Sequence, residues 1–170
     1  MSAILVGYRG SGKTSVGRKL ADRLWQSFVD TDEMIVKAAG KSIKEIFEQY
    51  GEAHFRDLEA DAVKQACTLQ DHIISLGGGA VLRDENRALI KASGFKVVYL
   101  RCEPAVLHQR IQSDPQTLAA RPNLTTLGGV EEIRKLLADR EPFYRQVMTS
   151  ELDVTNLSID EALVYVTRLI

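Results

Sequence analysis

The chain has 170 residues, 45% of them hydrophobic and 26% charged, with a net charge of −1 from 22 Lys and Arg against 23 Asp and Glu. That length fits one domain that buries roughly 70% of the surface its unfolded form exposes. The even charge argues against nucleic acid or an anionic membrane as partner, and no apolar run approaches the ~18 residues of a membrane helix.

Ala3 to Val6 reads as a short buried strand, and Lys13 to Leu24 as a helix with Val16, Leu20 and Leu24 on one stripe. A brief strand at 28–30 precedes a helical stretch over 33–39 that stops at Gly40. Ser42 with Glu45 three residues later marks a capping box that opens a helix to Tyr50, and a longer helix covers 52–69. A third strand over 72–76 closes in Gly77-Gly78-Gly79, and a helix follows over 84–92. Lys96 to Leu100 (KVVYL) is a fourth strand, and Pro104 opens the next helix. From 113 to 129 periodicity fades and Asp, Pro, Thr, Asn and Gly accumulate, as in a long functional loop. A helix over 130–148, a fifth strand over 152–154 and a closing helix over 159–169 complete the chain. Strands separated by helices predict a parallel sheet in an α/β sandwich.

The N-terminal MSAILVG lacks the basic flank of a secretory signal. Cys67 and Cys102 are too few for a disulfide framework, so the expected state is two thiols in a cytoplasmic protein. His54, His72 and His108 are scattered, which argues against a zinc site.

Gly7-Tyr8-Arg9-Gly10-Ser11-Gly12-Lys13-Thr14 matches the phosphate-loop pattern in full. Its glycines let consecutive N–H groups turn toward phosphate oxygens, and the following helix adds its positive dipole end. Lys13 is placed to bridge the β- and γ-phosphates, and Thr14 to ligate Mg²⁺. Asp30 and Asp32 stand at the tip of the second strand, where two residues apart in extended chain face one side. They read either as a metal support and a proton acceptor or as a helix cap. The triple glycine is either a flexible turn or a place where ligand meets backbone. Arg56, with Glu59 three residues on, suits bidentate capture of a carboxylate, against the commoner surface ion pair. Ile43, Phe47 and Phe55 read as core or as an apolar wall against a ring, and Arg9 and Arg18 as surface charges.

Together GYRGSGKTSVGRKLA, FVDTD, SIKEIFEQYGEAHFRDLE, ISLGGG, Arg121-Pro122 and REPFYR resemble the shikimate kinase family in order and over nearly the whole chain. The resemblance implies a single three-layer α/β/α phosphate-loop kinase domain of the nucleoside monophosphate kinase type over 1–170. It implies a five-stranded parallel sheet, a substrate-binding segment at about 31–60 and a lid at about 113–128. The implied activity is phosphoryl transfer from MgATP to the 3-hydroxyl of shikimate by a cytoplasmic monomer. A gluconate-type kinase is the alternative. By resemblance, Gly10, Ser11, Gly12, Lys13, Thr14 and Ser15 hold the ATP phosphates, and Thr14 and Asp30 the Mg²⁺. Asp32 is the candidate base, and Lys13 and Arg121 serve the transferring group. Arg56 and Arg140 grip the shikimate carboxylate beside Gly78 and Gly79, while Arg110, near Thr155 and Asn156, serves adenine. The lid departs from the family's compact RPLL, reading Arg121-Pro122-Asn123-Leu124 after a longer approach.

Overall fold

The structure, a computed structural model, describes residues 1–115 and 125–170. Five parallel strands, β1 (Ala3–Val6), β2 (Ser27–Asp30), β3 (His72–Ser75), β4 (Lys96–Arg101) and β5 (Ser150–Asp153), form one sheet in the order β2-β3-β1-β4-β5. Every strand of β1 and β3 register is in step, Ile4 opposite Ile74 and Leu5 opposite Ser75. β1 is buried along its whole length and β4 nearly so. Strands buried on both faces require helices on both sides, which is the expected sandwich.

The helices among the described residues are α1 (Lys13–Leu24), α2 (Thr31–Ala39), α3 (Ile43–Ala66), α4 (Asp84–Ala92), α5 (Pro104–Gln112), α6 (Gly129–Val147) and α7 (Ile159–Leu169). α1 packs on α7, while α3, α4, α6 and α5 follow one another in contact. The main core joins strand residues such as Ile4, Ile74 and Val98 to Leu20, Leu107, Tyr144 and Val166. A second cluster of Ile35, Ile43, Ile46, Phe55 and Ala62 holds α2 against α3. Phe55 is therefore core, as expected, with the Phe47 ring 4.8 Å away.

The capping box at Ser42 and Glu45 is present, and α3 breaks at Gly51, where φ is +82°. Nothing lies within 4 Å of a Cβ built there, so the glycine serves backbone geometry alone. Of the boundaries that differ from expectation, two have a plain cause. β5 is Ser150–Asp153 rather than 152–154, because this edge strand is only partly buried and has no apolar run to announce it. α2 starts at Thr31 rather than 33, because Asp30 caps it: Asp30 Oδ1 accepts from the Asp32 N–H at 2.9 Å.

Candidate active site

The sheet order places β2, β3 and β1 side by side. The residues that follow them are Asp30-Thr31-Asp32, Gly77-Gly78-Gly79 and the phosphate loop. Their carboxyl ends thus share one crevice, where open α/β sheets bind ligands. A cavity of about 960 Å³ opens there, lined among others by Lys13, Thr14, Asp30, Asp32, Gly78 and Arg110.

Gly10 and Gly12 take left-handed φ values of +84° and +94°. A Cβ at Gly10 would lie 3.0 Å from Ile111, and one at Gly12 3.3 Å from Ile159. Lys13, 8% exposed, folds back over the loop and donates to the carbonyls of Gly7 (2.8 Å) and Tyr8 (2.9 Å). No acidic residue occupies the first turn of α1, so its positive end is left to an anion. The buried Ser11 hydroxyl has no hydrogen-bond partner among the described residues. A left-handed glycine cradle, an uncompensated helix end and an orphaned hydroxyl fit a polyphosphate.

Thr14 Oγ1 donates to Asp30 Oδ2 at 2.8 Å. A hydroxyl and a carboxylate are hard oxygen donors that suit Mg²⁺. No group of three or more His, Cys, Asp or Glu that could hold a metal occurs among the described residues. Mg²⁺ would therefore take its other ligands from phosphate and water, which is its habit.

Asp32 does not lie in extended chain as the strand-tip reading supposed; it sits in the first turn of α2. It still reaches the same cavity as Asp30, because α2 begins at the crevice. The helix-cap reading holds for Asp30, whose side chain also lines the cleft with Asp32. A Cβ on Gly77 would lie 2.7 Å from Asp32 Oδ1 and 3.2 Å from Glu59 Oε1. Only glycine lets the turn come this close.

Arg56 is not a surface ion pair. It is 8% exposed, and its Nη1 donates at 2.7 Å to Glu59, itself 1% exposed. Its Nη2 reaches Glu52 at 3.2 Å. A Cβ on Gly79 would lie 2.8 Å from both Cζ and Nη2 of Arg56. Arg140, 5% exposed, comes from α6; its Nη1 lies 3.5 Å from a Cβ built on Gly78. That same point is 3.5 Å from Gly7 O and Arg9 N of the phosphate loop. Two guanidiniums from distant segments thus stand on consecutive glycines, directly beside the anion cradle. The triple glycine is a place where side chains of the chain itself come close to the backbone.

On the other flank Arg110 lines the cavity and donates to the carbonyls of Val154 (2.8 Å) and Leu157 (3.4 Å). Thr155 accepts from the Glu103 N–H at 3.1 Å and ties its loop to the start of α5, and neither it nor Asn156 lines the cavity. Leu157 and Ile159 do line it, with Ile111. Their apolar spacing looks like any core stripe, so no sequence signal set them apart. Arg9, expected at the surface, also lines the cavity. Arg18 is exposed and pairs with Glu33, as expected. Arg121 and Pro122 lie outside the described residues, as does the centre of the lid segment.

The family model described as "Shikimate kinase" matches residues 9–170. A shikimate kinase of Rhodopirellula baltica is 40% identical over 164 residues, which is 96% of this chain and 87% of that protein. The solved shikimate kinase of Acinetobacter baumannii in complex with shikimate superposes with a TM-score of 0.91 at 32% identity, covering 99% of this chain and 91% of that one. A gluconokinase of Sinorhizobium meliloti shares the fold alone, with a TM-score of 0.56 at 19% identity over 99% of this chain and 92% of that one.

Proposed function

This chain belongs to the shikimate kinase family, and from that premise we propose that its cleft transfers the γ-phosphoryl group of ATP to the 3-hydroxyl of shikimate, giving shikimate 3-phosphate and ADP. The observation that carries the substrate side is the pair of buried guanidiniums, Arg56 and Arg140, at Gly79 and Gly78 beside the phosphate loop. Arg56 is braced by Glu59 and Glu52, and fixed guanidinium forks on neighbouring glycines suit a carboxylate.

In this reading Gly10 to Ser15 wrap the ATP phosphates, and Lys13 exchanges its loop carbonyls for phosphate oxygens. Thr14 and Asp30 would hold Mg²⁺, which when bound neutralises charge on the β- and γ-phosphates. Arg110 meets the adenine between apolar walls at Ile111, Leu157 and Ile159. Arg56 and Arg140 grip the substrate carboxylate, so that its ring hydroxyls fall toward Asp32. Asp32 orients the attacking hydroxyl and takes its proton as the oxygen–phosphorus bond forms and ADP leaves. Most of the rate comes from positioning and charge neutralisation, to which Arg121 contributes from the lid at 113–128. Lid closure excludes water and suppresses wasteful ATP hydrolysis. The enzyme works as a cytoplasmic monomer; its two free cysteines favour a reducing compartment.

A coupled assay of ADP release with shikimate, gluconate and nucleoside monophosphates tests the reading. Turnover is expected with shikimate alone. Preference for gluconate or a nucleotide acceptor would remove the substrate assignment and leave the ATP side standing.

A further inference from the structure

The triple glycine carries the substrate side of the cleft, yet a glycine run is the most flexible backbone available. Something must hold it. Its two clamps come from outside the turn. The Thr31 hydroxyl, on a fully buried residue, accepts from the Gly77 N–H at 2.9 Å and reaches the Ser75 carbonyl at 3.5 Å. The Tyr144 hydroxyl, also fully buried, donates to the Gly78 carbonyl at 2.5 Å. We propose that Thr31 and Tyr144 are positioning residues for the acceptor: their hydroxyls clamp the triple glycine at successive residues and fix the direction of its N–H groups.

The direction follows from peptide geometry. No peptide bond in the described residues is cis, and in a trans peptide the C=O and the next N–H point opposite ways. Drawing the Gly78 carbonyl toward Tyr144 therefore turns the Gly79 N–H away from Tyr144. No described residue accepts from that N–H. It remains a donor at the turn where Arg56 and Arg140 converge. Tyr144 lies one helical turn from Arg140 on α6, so one helix sets both the guanidinium and the turn it faces. Thr31 lies between Asp30 and Asp32, so one element sets the carboxylates and the other end of the turn. The Tyr144 ring is itself fixed by stacking on Tyr99 at 4.9 Å. Burial pushes the Tyr144 phenol above its ordinary value, which keeps it a donor at every working pH.

This inference rests on the shikimate reading above. The alternative role for both hydroxyls is plain structural satisfaction of buried polar groups. Steady-state kinetics of wild type, Tyr144→Phe, Thr31→Val and Thr31→Ser, with each substrate varied in turn, separate the two. Tyr144→Phe and Thr31→Val are expected to raise the shikimate KM about 5- to 10-fold, the loss of one aligned hydrogen bond, with the ATP KM within about twofold of wild type. Thr31→Ser keeps the hydroxyl and is expected to restore wild-type values. An unmoved shikimate KM, or an equal rise in both KM values, overturns the positioning role. So does failure of either conservative variant to fold, since each keeps its volume and loses only the hydroxyl. Wild-type turnover of shikimate is read first. Its absence removes the activity itself, whereas an active wild type with unmoved variants removes only the clamps.

Discussion

Gly79→Ala isolates the carboxylate grip with one methyl group. Gly79 is not among the glycines with a left-handed φ, so alanine costs no backbone strain there. The new Cβ would lie 2.8 Å from the Arg56 guanidinium carbon, about 0.6 Å inside the 3.4 Å where ordinary contact begins, and it would meet Nη1 more closely still. The guanidinium must retreat, but it is buried and tied to Glu59 at 2.7 Å. Misplacing a binding group by about 1 Å can cost on the order of 10²-fold in rate. We expect kcat/KM for shikimate to fall about 10- to 100-fold, or about 1.4 to 2.7 kcal/mol, with the ATP KM little changed. The assay is ADP release with each substrate varied, run on wild type, Gly79→Ala, Arg56→Ala and the double variant. Arg56→Ala alone is expected to cost on the order of 10²-fold, as a desolvated charge loses its partner. In the double variant the methyl meets no guanidinium, so the Gly79→Ala penalty should shrink to about twofold. An equal penalty in both backgrounds would refute the steric argument, and no penalty at all would remove Arg56 from the acceptor site.

Lys13→Met keeps the stem of a buried side chain and removes its charge, and turnover should vanish with the fold intact by circular dichroism; near-normal activity would end the phosphate role. Arg110→Ala cuts the tether to Val154 and Leu157. The ATP KM should rise about 5- to 20-fold with the shikimate KM unmoved, and the opposite split would move Arg110 to the acceptor side. Burial pushes the Cys67 thiol up to about 11 and raises Cys102 as well. Both thiols should therefore stay protonated at pH 8 and react slowly with iodoacetamide until the chain is unfolded. Because these folded values lie above the ordinary thiol value of 9.0, the unfolded state loses its protons first. The stabilising contribution of Cys67 should thus decline as pH rises from about 9 toward 11. Rapid native labelling of the half-buried Cys67 at pH 8 would contradict its raised thiol value.

The chain by itself determined what depends on near neighbours. The phosphate loop needs eight consecutive residues between a strand and a helix, and these lie in one window. The capping box at Ser42 and the Arg56–Glu59 bond follow from three-residue helical spacing, which repeats wherever a helix forms. The parallel α/β class follows from the alternation of strand and helix signals. What only tertiary structure decided is convergence. That Asp32, the triple glycine and the phosphate loop share one crevice is set by the order β2-β3-β1, which no local pattern encodes. The approach of Arg140 and Arg56 to neighbouring glycines, the clamp of Tyr144 on Gly78, and the role of Leu157 and Ile159 as cavity wall as well as core margin all depend on that packing. The physical reason is range: backbone propensity and capping act within about one helical turn, whereas a binding site is made by contacts between segments far apart in sequence, chosen by how the whole core closes.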